Sequence, residues 1–401
     1  MNKKKIFNDP VYGLISFKHD TLYRIIDHPY FQRLRRITQQ ALSHYVYPGA
    51  LHTRFQHALG ALHLMTTALD TLRSKGVEIS EEEYEATCVA ILLHDVGHGP
   101  FSHALEQIIV DFHHEEMSLN ILNTISRQLN KDFTLARDIF KNNYHRPFLH
   151  ELVSGQLDMD RVDYLNRDSY FSGVAEGVIG YDRIIKMLQV RDDHLVVEEK
   201  GIYSVEMFLM ARKTMYLQVY LHKTVVAAEQ MLKSILSRMK FLLKAGIQIK
   251  ASDALLYFLD ERNIVNTDRN MDSIIRNFVY LDDTDILHAI KSNIHHEDRI
   301  LSRLCGDVMD RKLFKVHTGN PETLIAKQKV LQDKICTALK ITDKEADYFL
   351  MSIHSNIPVY TSGGDEIKIL MKNGKVKNFS KLFPRYKDFN EKKCFLVAYK
   401  V

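Results

Sequence analysis

Residues 94–103 read HDVGHGPFSH, with three histidines and an aspartate in ten positions. Imidazole and carboxylate together hold divalent cations of borderline hardness. His94 and Asp95 are neighbours, about 100° apart on a helix, so one ion reaches both only over the edge between them. Further ligands must come from elsewhere, and His57 in HTRFQHALG and Asp160 in GQLDMDRVDYLNRD are the candidates. A lone histidine on an apolar helix is ordinarily a hydrogen-bonded core residue. The His-Asp pair weakens that reading, because desolvating both without a cation is costly. Gly97, Gly99 and Pro100 stop the helix, so His98 and His103 project from a turn beside the pair. A cation held there would lower the pKa of a bound water and make it a nucleophile near neutral pH.

The elements that must position these groups are mostly helices. Apolar spacing predicts helix over 20–40, interrupted at Pro29, and over 54–75, ending at Gly76. Ser80 followed by Glu83 is a capping-box signature that starts a helix over 80–95. Helical patterns continue over 101–109, 114–129, 134–141 and 148–170. HLVVEEKGIYSVE (194–206) predicts a short hairpin turning near Lys200-Gly201, followed by a long amphipathic stretch over 204–243. Residues 251–347 predict more helices. EIKILMKNGKVKNF (366–379) alternates about Asn373-Gly374, a two-residue hairpin signal, and CFLVAYKV (394–401) supplies a further strand. The expected fold is mainly α: a helical core over 1–245 and a smaller α+β part over 246–401.

Composition narrows the function. Hydrophobic residues make up 45% of the 401 and charged residues 26%, the balance of a globular chain. A net charge of +4, with no dense basic stripe, makes nucleic acid an improbable partner but permits a local phosphate pocket. The four cysteines form no C-x-x-C, which fits a reducing compartment. No secretory leader and no membrane span are expected, so the expected location is the cytoplasm.

NDPVYG, DHPYFQRLRRITQ, YPGALHTRFQHALG, LLHDVGHGPFSHALE, HHEEMS, GQLDMDRVDYLNRDSYFSG and YLQVYLHK run in order over roughly residues 5–225. This set resembles the HD-domain phosphohydrolases, whose metal motif is H…HD…D, and more narrowly the deoxynucleoside triphosphate triphosphohydrolases, including the SAM- and HD-domain enzymes. LFKVH (313–317) extends the match more weakly. The resemblance implies one divalent metal ion per site (Mn, Fe, Zn or Mg) on His57, His94, Asp95 and Asp160. It implies His103 and His114 as catalytic histidines, with Glu106 where many members have Asp. It implies a triphosphate held by Arg54, Arg161, Tyr164 and Arg212, with Tyr220 near the sugar, Gln39 at the sugar edge and Tyr216 beside them. The implied reaction releases deoxynucleoside and inorganic triphosphate; which phosphorus is attacked comes from the resemblance alone.

Animal members carry Gln-Leu where this chain has Gln39-Gln40, so the expected deoxy preference is weaker here. Lys5, Asn8, Asp27, Gln32 and Arg35 match positions that bind an activating guanine nucleotide. His222, Lys223, Arg311 and Lys315 match a neighbouring phosphate-binding set. A homodimer or homotetramer activated by such a nucleotide is the implied assembly. Without the resemblance, the arginines are ordinary ion-pair residues, the tyrosines core aromatics and the N-terminal segment a solvated basic helix. The alternatives left open are an HD phosphohydrolase acting on another nucleotide or a phosphodiester, with His98 and His114 as extra ligands; a nuclease; and an inactive nucleotide sensor.

Overall fold

The computed structural model describes residues 5–105, 108–109, 113–263, 267–363, 366–387 and 389–400. Its N-terminal part is helical. Strands β1 (Phe7–Asp9) and β2 (Gly13–Ile15) form a small antiparallel ladder. Helices α1 (Asp20–Ile26) and α2 (Pro29–Gln32) follow, then a 3-10 turn over Arg33–Arg36. The helix expected over 20–40 is therefore divided at Asp27–His28. The residue before a proline is pushed out of the helical region, and His28 is extended at ψ 134°.

The core helices are α3 (Arg54–Ser74) and α4 (Glu81–Leu93). Capping boxes start both, at Thr53/Gln56 and at Ser80/Glu83. Helices α5 (His114–Leu129), α6 (Thr134–Phe140), α7 (Pro147–Ser154) and α8 (Met159–Ser172) complete the bundle, with α3 packed on both α4 and α8. The expected helix over 101–109 is a single 3-10 turn, Ser102–Ala104, among the described residues. Phe101 (φ 52°) and Ser102 (φ 53°), at its start, are left-handed, and a right-handed α-helix does not run through two such residues.

After α9 (Tyr181–Lys186), β3 (Leu188–Arg191) pairs with β4 (His194–Glu198). This hairpin turns at Asp192-Asp193, both at positive φ, rather than at Lys200-Gly201. Aspartate tolerates that region, and two consecutive left-handed residues match the twist of a hairpin. Gly201 answers a different demand: a Cβ there would lie 2.7 Å from both Met187 and Val197 side-chain carbons. The long stretch over 204–243 is two helices, α10 (Ile202–Met215) and α11 (Lys223–Lys244). A π-turn over Tyr216–Tyr220 and the cap at His222 separate them.

Beyond α11, helices over Asp253–Leu259, Thr267–Phe278, Asp283–Ser292 and Arg299–Met309 lead to β5 (Lys315–Thr318). β5 interrupts the helices expected over 251–347, which resume with Pro321–Leu339 and Asp343–Ala346. β6 is Leu350–Pro358. The hairpin about Asn373-Gly374 forms as β7 (Lys368–Leu370) and β8 (Val376–Asn378). β9 (Asn390–Ala398) lies between β5 and β6. β7 also pairs with β4, so one sheet, in the order β3-β4-β7-β8, draws strands from both sides of residue 245. The chain is mainly α, with small sheets toward its C-terminal end. No helix among the described residues is long and apolar enough to cross a membrane.

Candidate active site

Three helices bring the proposed ligands together. α3 carries His57 in its first turn, the C-terminus of α4 delivers His94 and Asp95, and α8 carries Asp160 in its first turn. His57 Nε2 lies 3.0 Å from an Asp160 oxygen and 3.6 Å from Asp95. His94 Nε2 lies 3.4 Å from Asp160 and 3.3 Å from Asp95. His57 is fully buried and His94 nearly so, and neither Nε2 has an aligned hydrogen-bond partner among the described residues.

The opposite ring nitrogens are engaged. His57 Nδ1 donates to Asp163 at 2.7 Å and His94 Nδ1 to the Ile91 carbonyl at 2.5 Å. Those bonds use each Nδ1–H and turn each Nε2 toward the carboxylates, the atom that a metal would take in place of a proton. Two orphaned imidazole nitrogens facing two carboxylates fit a divalent ion. Burial raises the pKa of the Asp95 carboxyl, but His94, Arg54 and His98 outweigh it and hold it well below the usual range.

Asp163 belongs to this machinery although no sequence motif marks it. It is fully buried, and Arg167 grips it through two hydrogen bonds of 2.9 and 3.0 Å. Arg167 in turn reaches Asp9 at 2.8 Å. Gly60 lets this pair approach α3: a Cβ there would sit 2.0 Å from an Asp163 oxygen. At i,i+4 on α8, Asp163 and Arg167 look like a routine helix ion pair.

The turn after the HD pair is clamped from two sides. Arg33, fully buried, donates to the carbonyls of His98 (2.8 Å) and Leu281 (2.9 Å). Asp283 accepts from the Phe101 amide at 2.6 Å and from the Thr38 amide and hydroxyl at 2.8 and 2.7 Å. Asp283 thus fixes the left-handed Phe101 and the segment leading to Gln39 at once.

Asp160 also opens onto a cavity of about 380 Å³. Gln39, Arg54, Arg161, Tyr164, Arg212, Tyr216 and Tyr220 all line it. Arg54 binds Asp95 and holds Ser102 Oγ at 2.7 Å. Arg161 is anchored by Asp158 and by the Gly155 carbonyl at 2.6 Å. The Nε atoms of Arg161 and Arg212 are buried without partners among the described residues, as are both amide atoms of Gln40 and the amide oxygen of Gln39. Tyr220 donates to Asp168 at 2.7 Å, and Asp168 also contacts His52 at 2.7 Å. Asp168 lines the cavity and is a second carboxylate that no motif singled out.

His114 begins α5 and stacks on His98 with ring centroids 3.9 Å apart. His103 lies in the 3-10 turn, its side chain outside the described residues, and Glu106 lies outside them altogether.

The effector candidates fall in two groups. Lys5 pairs with Asp27, Arg35 donates to Gln32 at 2.8 Å, and Asn8 lies on β1. His222 and Lys223 line a separate hollow of about 650 Å³ with Lys392 and Lys393. Lys315 is not in the lining of that hollow and starts β5, whose last residue, Thr318, is. Arg311 is not in the lining of that hollow and donates to the Tyr45 carbonyl at 2.8 Å.

Residues 54–167 match the HD domain and residues 179–279 the HD associated region. A solved phosphohydrolase from Bacteroides thetaiotaomicron superposes with a TM-score of 0.93 at 46% identity, covering 99% of this chain and 100% of that one. The uncharacterized Bacillus subtilis protein YwfO is 31% identical over 397 residues, 95% of this chain and 88% of its own length. The deoxynucleoside triphosphate triphosphohydrolase SAMHD1 homolog of Dictyostelium discoideum is 28% identical over 411 residues, 96% of this chain and 78% of that protein. The architecture, the H…HD…D cluster and these matches agree: the chain belongs to the HD-domain phosphohydrolases.

Proposed function

We infer that this protein is a metal-dependent deoxynucleoside triphosphate triphosphohydrolase, releasing deoxynucleoside and inorganic triphosphate. The observation that carries the reading is one cavity in which Asp160 of the histidine–carboxylate cluster meets three guanidinium groups, two with buried unpartnered Nε–H donors. Buried donors of that kind call for anionic oxygens. His57, His94, Asp95 and Asp160 would hold one divalent ion (Mn, Fe, Zn or Mg), which when bound activates water and neutralises phosphoryl charge.

The chain's own residues supply the rest. Arg54, Arg161 and Arg212, with Tyr164, hold the phosphate chain and damp the charge that grows on it. His103, supported by Glu106, and His114 are assigned proton delivery to the leaving oxygen. Tyr220, fixed by Asp168, and Tyr216 wall the sugar, and Gln39 and Gln40 bound its edge. The N-terminal domain assignment, 1–245 as catalytic core and 246–401 as an α+β region, belongs to this proposal. So does a homodimer or homotetramer activated by a guanine nucleotide at Lys5, Asn8, Asp27, Gln32, Arg35, His222, Lys223, Arg311 and Lys315, at work in the cytoplasm.

A second reading has one observation behind it. Asp95, His98 and His114 form another group able to take a metal, which a two-metal phosphodiesterase would use. The rings of His98 and His114 are stacked at 16°, so their in-plane lone pairs lie in nearly parallel planes, a poor arrangement for two ligands of one ion. One ion is the better-supported count. A metal-by-substrate screen tests the assignment. It should show dNTP turnover with about one ion per chain and a higher kcat/KM for dGTP than for GTP; equal values would remove the deoxy label.

A further inference from the structure

The cavity extends to the wall of α11, where Val225 and Glu229 enter it one helical turn apart. Glu229 forms no hydrogen bond or close ion pair with a described residue. Lys233, one turn further along α11, offsets the effect of burial on the Glu229 carboxyl in part, and no ion pair among the described residues joins it to Arg54, Arg161 or Arg212. Burial pushes its carboxyl up to about 7. The cavity thus holds guanidinium groups beside Asp160 and, on its α11 wall, a carboxyl that pairs with none of them. Gln40, 6% exposed with both amide atoms unpartnered among the described residues, adds a second unsatisfied polar group to the cavity lining. A helix face needed only to close a cavity would carry an apolar side chain there, because a desolvated carboxyl without donors is costly.

Resting on the triphosphate reading above, we propose that Glu229 is a specificity-determining residue that receives the Watson–Crick edge of a guanine base. A nucleotide whose phosphates occupy the arginine end presents its base at the other end. A carboxylate offers two acceptor oxygens side by side. Guanine alone answers with two adjacent donors, N1–H and the N2 amino group. Adenine and cytosine place one amino donor beside an acceptor nitrogen, and thymine places one N–H between two carbonyls. The pairing stabilises the charged carboxylate that the cavity otherwise disfavours.

The test is kcat/KM for dGTP, dATP, dCTP and dTTP in the full-length wild type, Glu229→Gln and Glu229→Met. Losing hydrogen bonds to a charged group corresponds to roughly 10- to 100-fold. The ratio of dGTP to dTTP should fall by about that factor in Glu229→Gln, carried mainly by KM. Glu229→Met guards against a folding defect peculiar to one variant. An unchanged base ratio in both variants, or an equal loss for all four bases, overturns the proposal while leaving the triphosphohydrolase reading intact. Absence of any nucleoside triphosphate turnover in the wild type overturns that reading first and this one with it.

Discussion

His57 Nδ1 donates to Asp163 at 2.7 Å, and Asp163 is itself held by Arg167. The carboxylate sets the ring angle, so that Nε2 faces Asp95 and Asp160. Carboxylate partners of this kind change metal affinity by about 10- to 100-fold. Asp163→Asn keeps the shape while removing the charge. Chelator competition should show metal affinity reduced by roughly that factor; unchanged affinity would remove Asp163 from the metal machinery.

Asp283 provides a pH-dependent clamp. Burial, outweighing its bonds to Phe101 and Thr38, pushes its carboxyl up to about 6, against about 3.9 in an unfolded chain. The folded state therefore favours the protonated form. The resulting stability is fully present below about pH 4 and is lost as pH rises through 6. Denaturant unfolding should show the wild type's advantage over Asp283→Asn shrinking by on the order of 1 kcal/mol from pH 5 to pH 8. A constant difference would contradict this account of the clamp.

Arg212 contributes a buried guanidinium to the cavity, and no hydrogen bond or ion pair among the described residues joins it to the histidine–carboxylate cluster. Arg212→Ala should cut kcat/KM for a nucleoside triphosphate by about 10- to 100-fold. Metal content should stay at the wild-type level, measured by elemental analysis. Loss of metal together with activity would place Arg212 among the groups that build the metal site instead.

Regulation is testable apart from chemistry. If a guanine nucleotide acts through Asp27 and Arg35, wild-type velocity rises sigmoidally with nucleotide. Asp27→Ala should flatten that response and keep its metal. Hyperbolic wild-type kinetics, with no change of mass in light scattering on adding nucleotide, would remove the regulatory claim alone.

Local chemistry made part of this molecule legible from sequence. The HD pair, the Ser80–Glu83 capping box and the Asn373-Gly374 turn are encoded within a few residues. The misplaced hairpin shows the limit of a glycine signal: Gly201 is required by packing against Met187 and Val197, not by a turn. The break between α10 and α11 has neither proline nor glycine to announce it; a π-turn and the His222 cap make it. Asp163, Asp168 and Glu229 sit at ordinary polar positions on helices. Only the packed fold gives Asp163 its partners His57 and Arg167, gives Asp168 its partners His52 and Tyr220, and turns Glu229 into the cavity.

The most direct test of the central claim is product identity. Purified full-length protein, loaded with Mn²⁺, is incubated with dGTP and the products are separated by anion exchange with phosphorus NMR. The account predicts deoxyguanosine and intact inorganic triphosphate in equal amounts, with turnover abolished in Asp160→Ala. Deoxyguanosine monophosphate with pyrophosphate, or the diphosphate with phosphate, would contradict it.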